Sequence, residues 1–396
     1  MPDQTSISPL DGVRVLDFSI MLAGPYCARL LADVGAEVIK IEPPEGEEMR
    51  LRAPVRDGHS AYFGQLNAGK RSIALDLKSP DAIKLVHRLV ESTDIVVENF
   101  RPGVMERLGL GYEALRKINP GLIYCSISGY GQTGPQAERA AYAMIVHAES
   151  GFDRALMRYA GDRDRPAAGA VFVADIFGGM FGFSAIQTAM VQRARTGEGQ
   201  RIDVALMDCM LNLLVYELQE AQFSEPMARP TYGPVRTSDG DILIAPVSAR
   251  NFAALRDLTG LPELFSDPRF TSVPARGANW TAMMQIIEKW TVQHCMDECL
   301  AMLDRAGIPC ARFRDPAETL HDADLAERGT FAPIADAAGT FKGVNAPWRM
   351  SAARSAIGPE IPSIGSHRDD ILARVLGLSA EDIARAAASG AFGKTA

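Results

Sequence analysis

Basic charge is in short supply in this chain: 41 lysines and arginines face 49 aspartates and glutamates, a formal net charge of −8 at pH 7. That balance argues against a nucleic-acid partner, which needs lysine and arginine clustered on one face. It still permits a local basic patch for a phosphate on a small ligand. Long hydrophobic runs are missing too. The longest apolar stretches, 170–174 and 176–183, are too short and glycine-broken to span a bilayer. The chain does not open with a basic segment followed by an apolar run, so neither a signal peptide nor a membrane partner is expected, and the expected compartment is the cytoplasm. Cysteines are few, six in 396 residues, and scattered (Cys27, Cys125, Cys209, Cys295, Cys299, Cys310). Cys295 and Cys299 sit one turn apart on an expected helix without a second ligand pair, so they read as reduced thiols and no metal site is expected. Internal repeats and low-complexity segments are also lacking.

What is present is ordinary globular material, 47% hydrophobic and 23% charged, long enough for two domains. The first half alternates strand and helix signals. Val13–Phe18 reads as a strand, and Pro25 opens a helical pattern that stops at Gly35. Val38–Ile41, Ile95–Val97 and Leu122–Ile127 are further strands. Ser79-Pro80 starts a helix, with a capping residue followed by proline at the first helical position. Strands separated by helices of this length predict an α/β fold with a doubly wound, Rossmann-like parallel sheet. Residues 173–190 read as an apolar helix in which Gly178, Gly179 and Gly182 permit close backbone approach. From about Tyr216 prolines punctuate the chain, and a short strand at 242–246 precedes helices at 251–258, 280–291 and 297–306. The expected organisation is a large domain from 1–215 and 331–396, interrupted by a smaller α+β domain at 216–330.

Gly129-Tyr130-Gly131-Gln132-Thr133-Gly134 has the glycine spacing of a dinucleotide fingerprint. Pro135 and the polar residues 136–139 follow at once, where a helix should open, which disfavours a nicotinamide site. The same turn, extended to Ser128 and Pro135, carries a different resemblance together with Leu22-Ala23-Gly24-Pro25, residues 32–42, 67–77 and 97–103, Arg107-Leu108-Gly109, 197–203 and Ile364-Gly365-Ser366-His367. In ordered spacing from about residue 10 to about residue 380, these segments resemble the class III coenzyme A-transferases, the formyl-CoA and carnitine CoA-transferase family.

That resemblance implies an enzyme that moves coenzyme A between an acyl-CoA and a small carboxylic acid, with coenzyme A as its carrier. It also implies an interlocked homodimer. It places Met21, Leu22, Ala23, Leu75, Asn99, Phe100, Val104, Arg107 and Met180 against the coenzyme; Lys70 and Arg71 are further cations of uncertain use. Of these, Arg107 has the chemistry for a phosphate, since a guanidinium holds it bidentately. The resemblance puts the nucleophilic aspartate at position 143, beside Tyr142, where this chain has Ala143. His147 stands in the same segment, either to orient a substrate carboxylate or to satisfy a buried hydrogen bond. A methyl group cannot attack a thioester, so an inactive Asp-to-Ala chain is the first expectation. A natural acyl-CoA-binding homologue, or takeover by Glu149 or Asp153, are the others. Racemases of the same fold carry His-Asp where this chain has Tyr142-Ala143, which makes racemisation the weaker enzymatic reading. No glycine run like the covering loop of formyl-CoA transferases occurs between 216 and 330, which favours a succinate-, mesaconate- or itaconate-like acid over oxalate.

Overall fold

The computed structural model of the chain describes residues 7–161, 164–223 and 229–393. Six short strands form its central sheet: β1 (Arg14–Asp17), β2 (Glu37–Glu42), β3 (Arg71–Ala74), β4 (Ile95–Glu98), β5 (Ile123–Ser128) and β6 (Arg201–Ala205). All pair in parallel, in the order 3-2-1-4-5-6. Parallel strands need covering on both faces, and their residues alternate between two apolar layers accordingly. Val15, Val97 and Cys125 face one layer. Leu16, Val96 and Tyr124 face the other.

The first layer is built on α1 (Ala23–Asp33) and, later in the chain, the 24-residue helix Val173–Thr196. These two helices touch almost backbone to backbone. A Cβ added at Gly179 would lie 2.7 Å from the Ala23 carbonyl oxygen, and one at Gly178 would lie 2.4 Å from Leu206 Cδ2. The glycines are therefore packing devices, as their spacing in the sequence predicts. The second layer is built on the helix Pro80–Val90 and the C-terminal helices Arg368–Leu376 and Ala380–Ala388. The last of these is not anticipated from sequence; it starts at a capping box formed by Ser379 and Asp382.

Contacts divide the chain into Met1–Val215 with Ala323–Ala396, and a second unit, Tyr216–Asp322. The second unit has an antiparallel sheet of Val235–Arg236, Asp241–Ile244 and Cys310–Arg312, and its own core around Ile242, Leu255, Met283 and Ile287. The chain rejoins the first unit at Ala323, before the boundary expected at 331. Asn345 explains the difference: its backbone N–H donates to the Thr330 carbonyl at 3.0 Å and its side chain to the Gly329 carbonyl at 2.9 Å, tying this stretch to the C-terminal segment. Among the described residues no helix is long and apolar enough to cross a membrane.

Candidate active site

Between β1 and β4 the strand order reverses direction, which opens a crevice beyond their carboxyl ends. Asn99, just past β4, stitches this crevice: it accepts from the Ile20 N–H at 2.8 Å and donates to the Ile20 carbonyl at 2.8 Å. The chain then turns into α1 so tightly that a Cβ at Gly24 would lie 2.2 Å from Ser19 Cβ. Met21 adopts a left-handed backbone, φ 66°, which costs a non-glycine residue about 1 kcal/mol or more. Its N–H is held by the Glu47 carboxylate at 3.3 Å.

A buried ionic network supports this turn. Lys70 donates to Asp17 at 2.7 Å, to the Pro25 carbonyl at 2.9 Å and to Asn67 at 2.9 Å. Lys40 donates to the Ser19 carbonyl at 2.9 Å and lies 3.2 Å from Glu47. Glu42 receives both arms of Arg50 at 2.7 Å and the Ser72 hydroxyl at 2.7 Å. Burial alone would raise the Asp17 carboxyl, but Lys70, Lys40 and the bonds from Lys70 and Ser19 bring it below its ordinary value. Burial lowers the Lys70 ammonium to about 8 against the pull of Asp17. Lys70 is thus a structural cation. Arg71 pairs with Asp370 at the surface. Neither stands free for a phosphate.

Above the network lies a cavity of about 820 Å³, whose walls include Ile20, Met21, Leu75, Lys78, Phe100 and Leu108. Met21, Leu75 and Phe100 therefore converge on one space, and Asn99 shapes its floor. Arg107, on the short helix Val104–Arg107, is exposed and forms no ion pair among the described residues. Leu22 and Ala23 are buried in the turn itself, and Met180 is exposed on the long helix. Those three, with Asn99, Val104 and Arg107, do not line the cavity.

The segment expected to carry the chemistry forms the helix Ala143–Ser150. Ala143 is its first residue, 1% exposed, and its methyl group packs in the apolar layer with Ala23, Cys27, Val146 and Ala174. It lines neither this cavity nor a second one of about 560 Å³ beside Arg50 and His59. Tyr142, the cap residue before it, is exposed. Glu149 is held by the Tyr130 hydroxyl and by Arg139, and Asp153 opens the next helix, Phe152–Tyr159. His147 is buried, with Nε2 accepting the Ala174 N–H at 3.0 Å. Burial lowers its pKa, partly opposed by Asp153, so the ring is neutral at pH 7.

A residue that the sequence does not single out completes the site. Asp175 lies in the first turn of the Val173–Thr196 helix, half-buried. No ion pair or side-chain hydrogen bond reaches it among the described residues, and burial alone raises its carboxyl from 3.8 to about 6. Its charge in turn helps raise the Tyr62 phenol, after burial. Ile176, Tyr62 and Met21 pack on one small apolar cluster with Leu22, Met49 and Phe63; Met21 also lines the cavity of about 820 Å³, which links this helix to its wall, while Asp175 itself does not line it. The signal in the sequence is the interruption itself: Asp175 is the single acid between the two apolar runs 170–174 and 176–183.

Comparison with known proteins bears on this geometry. The model of CoA-transferase family III matches residues 10–368. The succinyl-CoA–D-citramalate CoA-transferase of Chloroflexus aurantiacus is 36% identical, with 97% of this chain and 98% of that protein covered. The succinate–glutarate CoA-transferase of Agrobacterium fabrum is 37% identical, over 93% of this chain and 96% of its own. Among solved structures, an aspartate-to-alanine variant of Rv3272 from Mycobacterium tuberculosis superposes with a TM-score of 0.84 at 30% identity, covering 93% of this chain and 100% of that one. With its sheet order, its strand-end crevice and this likeness along nearly its whole length, the chain belongs to CoA-transferase family III.

Proposed function

We propose that this chain is a working CoA-transferase whose nucleophile is Asp175, and that position 143 is a core position. The observation that carries the reading is a half-buried carboxylate, raised to about 6 and without an ion pair among the described residues, on a helix whose Ile176 packs on the same apolar cluster as Met21 of the cavity wall. Asp17 and Glu42 are met by cations, and the buried Glu98, raised to about 7, is met by the Phe100 N–H at 2.9 Å. A carboxylate kept without a cation costs stability and is retained where chemistry needs it.

Coenzyme A occupies the cavity in this reading. Met21, Leu75 and Phe100 wall its nucleotide, and Arg107 supplies a guanidinium to a phosphate. Asn99 shapes the floor, and Leu22, Ala23, Val104 and Met180 act through the shape of the surrounding turn and helices. The Asp175 oxygen attacks the acyl carbonyl of the donor thioester; the carbon–sulfur bond breaks, and CoA thiolate leaves a mixed anhydride on the enzyme. Thiolate then attacks the aspartyl carbonyl, releasing the donor acid and forming an aspartyl thioester. The acceptor carboxylate attacks that thioester, giving a second anhydride and thiolate. Thiolate attacks the acceptor's acyl carbon, giving the new thioester and restoring Asp175. Each step exchanges one acyl bond for another, and no net proton moves. Splitting one exchange into such steps is the gain from covalent catalysis.

The named relatives use succinyl-CoA or succinate with D-citramalate or glutarate, which supports a short dicarboxylate as acceptor. The interlocked homodimer belongs to the same proposal. Tyr142, Val171, Phe172, Phe181 and Val191 are exposed apolar side chains that a second copy would cover. The test incubates the protein with succinyl-CoA and glutarate, D-citramalate or oxalate and detects new thioesters by mass. Transfer by the wild type and none by Asp175→Asn is the expected result. Transfer by Asp175→Asn at the wild-type rate would overturn the assignment.

A further inference from the structure

The helix that presents Asp175 begins without a cap of its own. Its cap residue, Phe172, has no side-chain acceptor to offer, and the first N–H groups of any helix lack partners within it. Val173 donates to the Val171 carbonyl at 3.0 Å and Ile176 to the Phe172 carbonyl at 3.2 Å. The Ala174 N–H is fully buried, and the acceptor that meets it comes from another helix: Nε2 of His147, at 3.0 Å. A buried N–H left unmet costs about 1–3 kcal/mol, so this bond fixes where the turn sits. The ring is fixed in its turn by Phe152, whose centroid lies 5.2 Å away. Nε2 accepts only if the imidazole is neutral with its proton on Nδ1.

From this geometry we propose that His147 is a positioning residue for the transfer reaction: by accepting the Ala174 N–H it holds the turn that aims the neighbouring Asp175 carboxylate at the thioester. The inference rests on Asp175 being the nucleophile. His147 touches no reacting atom in this account. It acts through one backbone N–H, one residue from the carboxylate, where a misplacement of about 1 Å is worth about a hundredfold in rate.

The experiment compares His147→Gln, His147→Leu and Asp175→Asn with the wild type in succinyl-CoA-dependent transfer. Gln offers an acceptor oxygen near the place of Nε2; Leu offers volume without an acceptor. His147→Leu is expected to lower kcat about ten- to a hundredfold with KM for succinyl-CoA within about twofold, and His147→Gln to stay within about threefold of wild-type kcat. Wild-type kcat in His147→Leu, or equal losses in the two His147 variants, overturns the inference. Nitrogen NMR of histidine-labelled wild-type protein decides independently of how the variants fold. A neutral ring protonated on Nδ1 is expected, and a ring protonated on Nε2 overturns the inference, because that nitrogen could not accept. The two layers of the argument fail separately. Full turnover by Asp175→Asn removes the nucleophile assignment, whereas an inactive Asp175→Asn beside an unimpaired His147→Leu removes the positioning role alone.

Discussion

Two sets of buried acids in this molecule are treated in opposite ways. Under the turn that follows β1, every acid has a cation: Asp17 has Lys70, Glu42 has Arg50, and Glu47 has Lys40. At the head of the Val173–Thr196 helix, Asp175 has none, and its carboxyl rises to about 6. The first set holds a strained turn in place. The second leaves the proposed nucleophile without a charge partner among the described residues. The buried Glu98, raised to about 7, has no cation but accepts the Phe100 N–H, whereas among the described residues neither a cation nor a side-chain hydrogen bond meets Asp175, the feature on which its proposed role rests.

Removing each type of acid should therefore have opposite consequences, and the largest concerns rate. Asp175→Asn keeps the shape and loses the nucleophile, so kcat for transfer should fall by at least about a thousandfold, measured as thioester exchange from succinyl-CoA. Next in size is Lys70→Met, which leaves Asp17 buried without its partner; urea unfolding should show a loss of about 3–5 kcal/mol. Asp17 has a depressed pKa, so its contribution is present above the unfolded value and fades as pH falls through the lower folded one. Ala143→Asp sharpens the comparison by adding a further buried acid. A carboxylate replacing a methyl group that is 1% exposed in an apolar layer should cost about 2–4 kcal/mol of stability and bring no gain in transfer. A rise in kcat in that variant would return the nucleophile to position 143. Smaller again is Arg107→Ala, expected to raise KM for the CoA ester about tenfold while kcat changes little.

The smallest effect has the unusual sign. The Asp175 carboxyl titrates at about 6 when folded against an ordinary 3.8, so folding disfavours its ionised form. The resulting cost is absent below pH 3.8, grows as pH rises to about 6, and is complete above it. Asp175→Asn should thus be more stable than the wild type by about 1–2 kcal/mol at pH 8, allowing for partial exposure, and no more stable near pH 3.5. Thermal melts at the two pH values check this. The same titration gives transfer an acid limb near pH 6, since only the ionised carboxylate attacks.

Much of the fold is legible in the sequence because its signals are local. The strand β1 and helix α1 and the glycines at 178, 179 and 182 carry a periodicity or a spacing that the fold matches, and the helix expected from Ser79-Pro80 does start at Pro80, although the Ser79 side chain makes no capping hydrogen bond. The final helix, Ala380–Ala388, is missed because Ile383 is the one large apolar side chain among its alanines and charged residues. Part of the proposed coenzyme cleft is legible as well, since Met21, Leu75 and Phe100 follow β1, β3 and β4 and meet in one cavity. What the sequence cannot show is pairing. Lys70 and Arg107 are both cations near a motif, and only the structure separates the one held by Asp17 from the one left free. Asp175 and Asp17 are likewise indistinguishable until burial and partners are known. The link from His147 to Ala174 spans 27 residues and ends on a backbone N–H, which leaves no trace in residue type.

The most direct test is to trap the covalent intermediate. Wild-type protein incubated with succinyl-CoA, then reduced with borohydride and digested, should yield the peptide containing Asp175 with that residue converted to an alcohol. Turnover with the label on another acidic residue, or on none, would contradict the account.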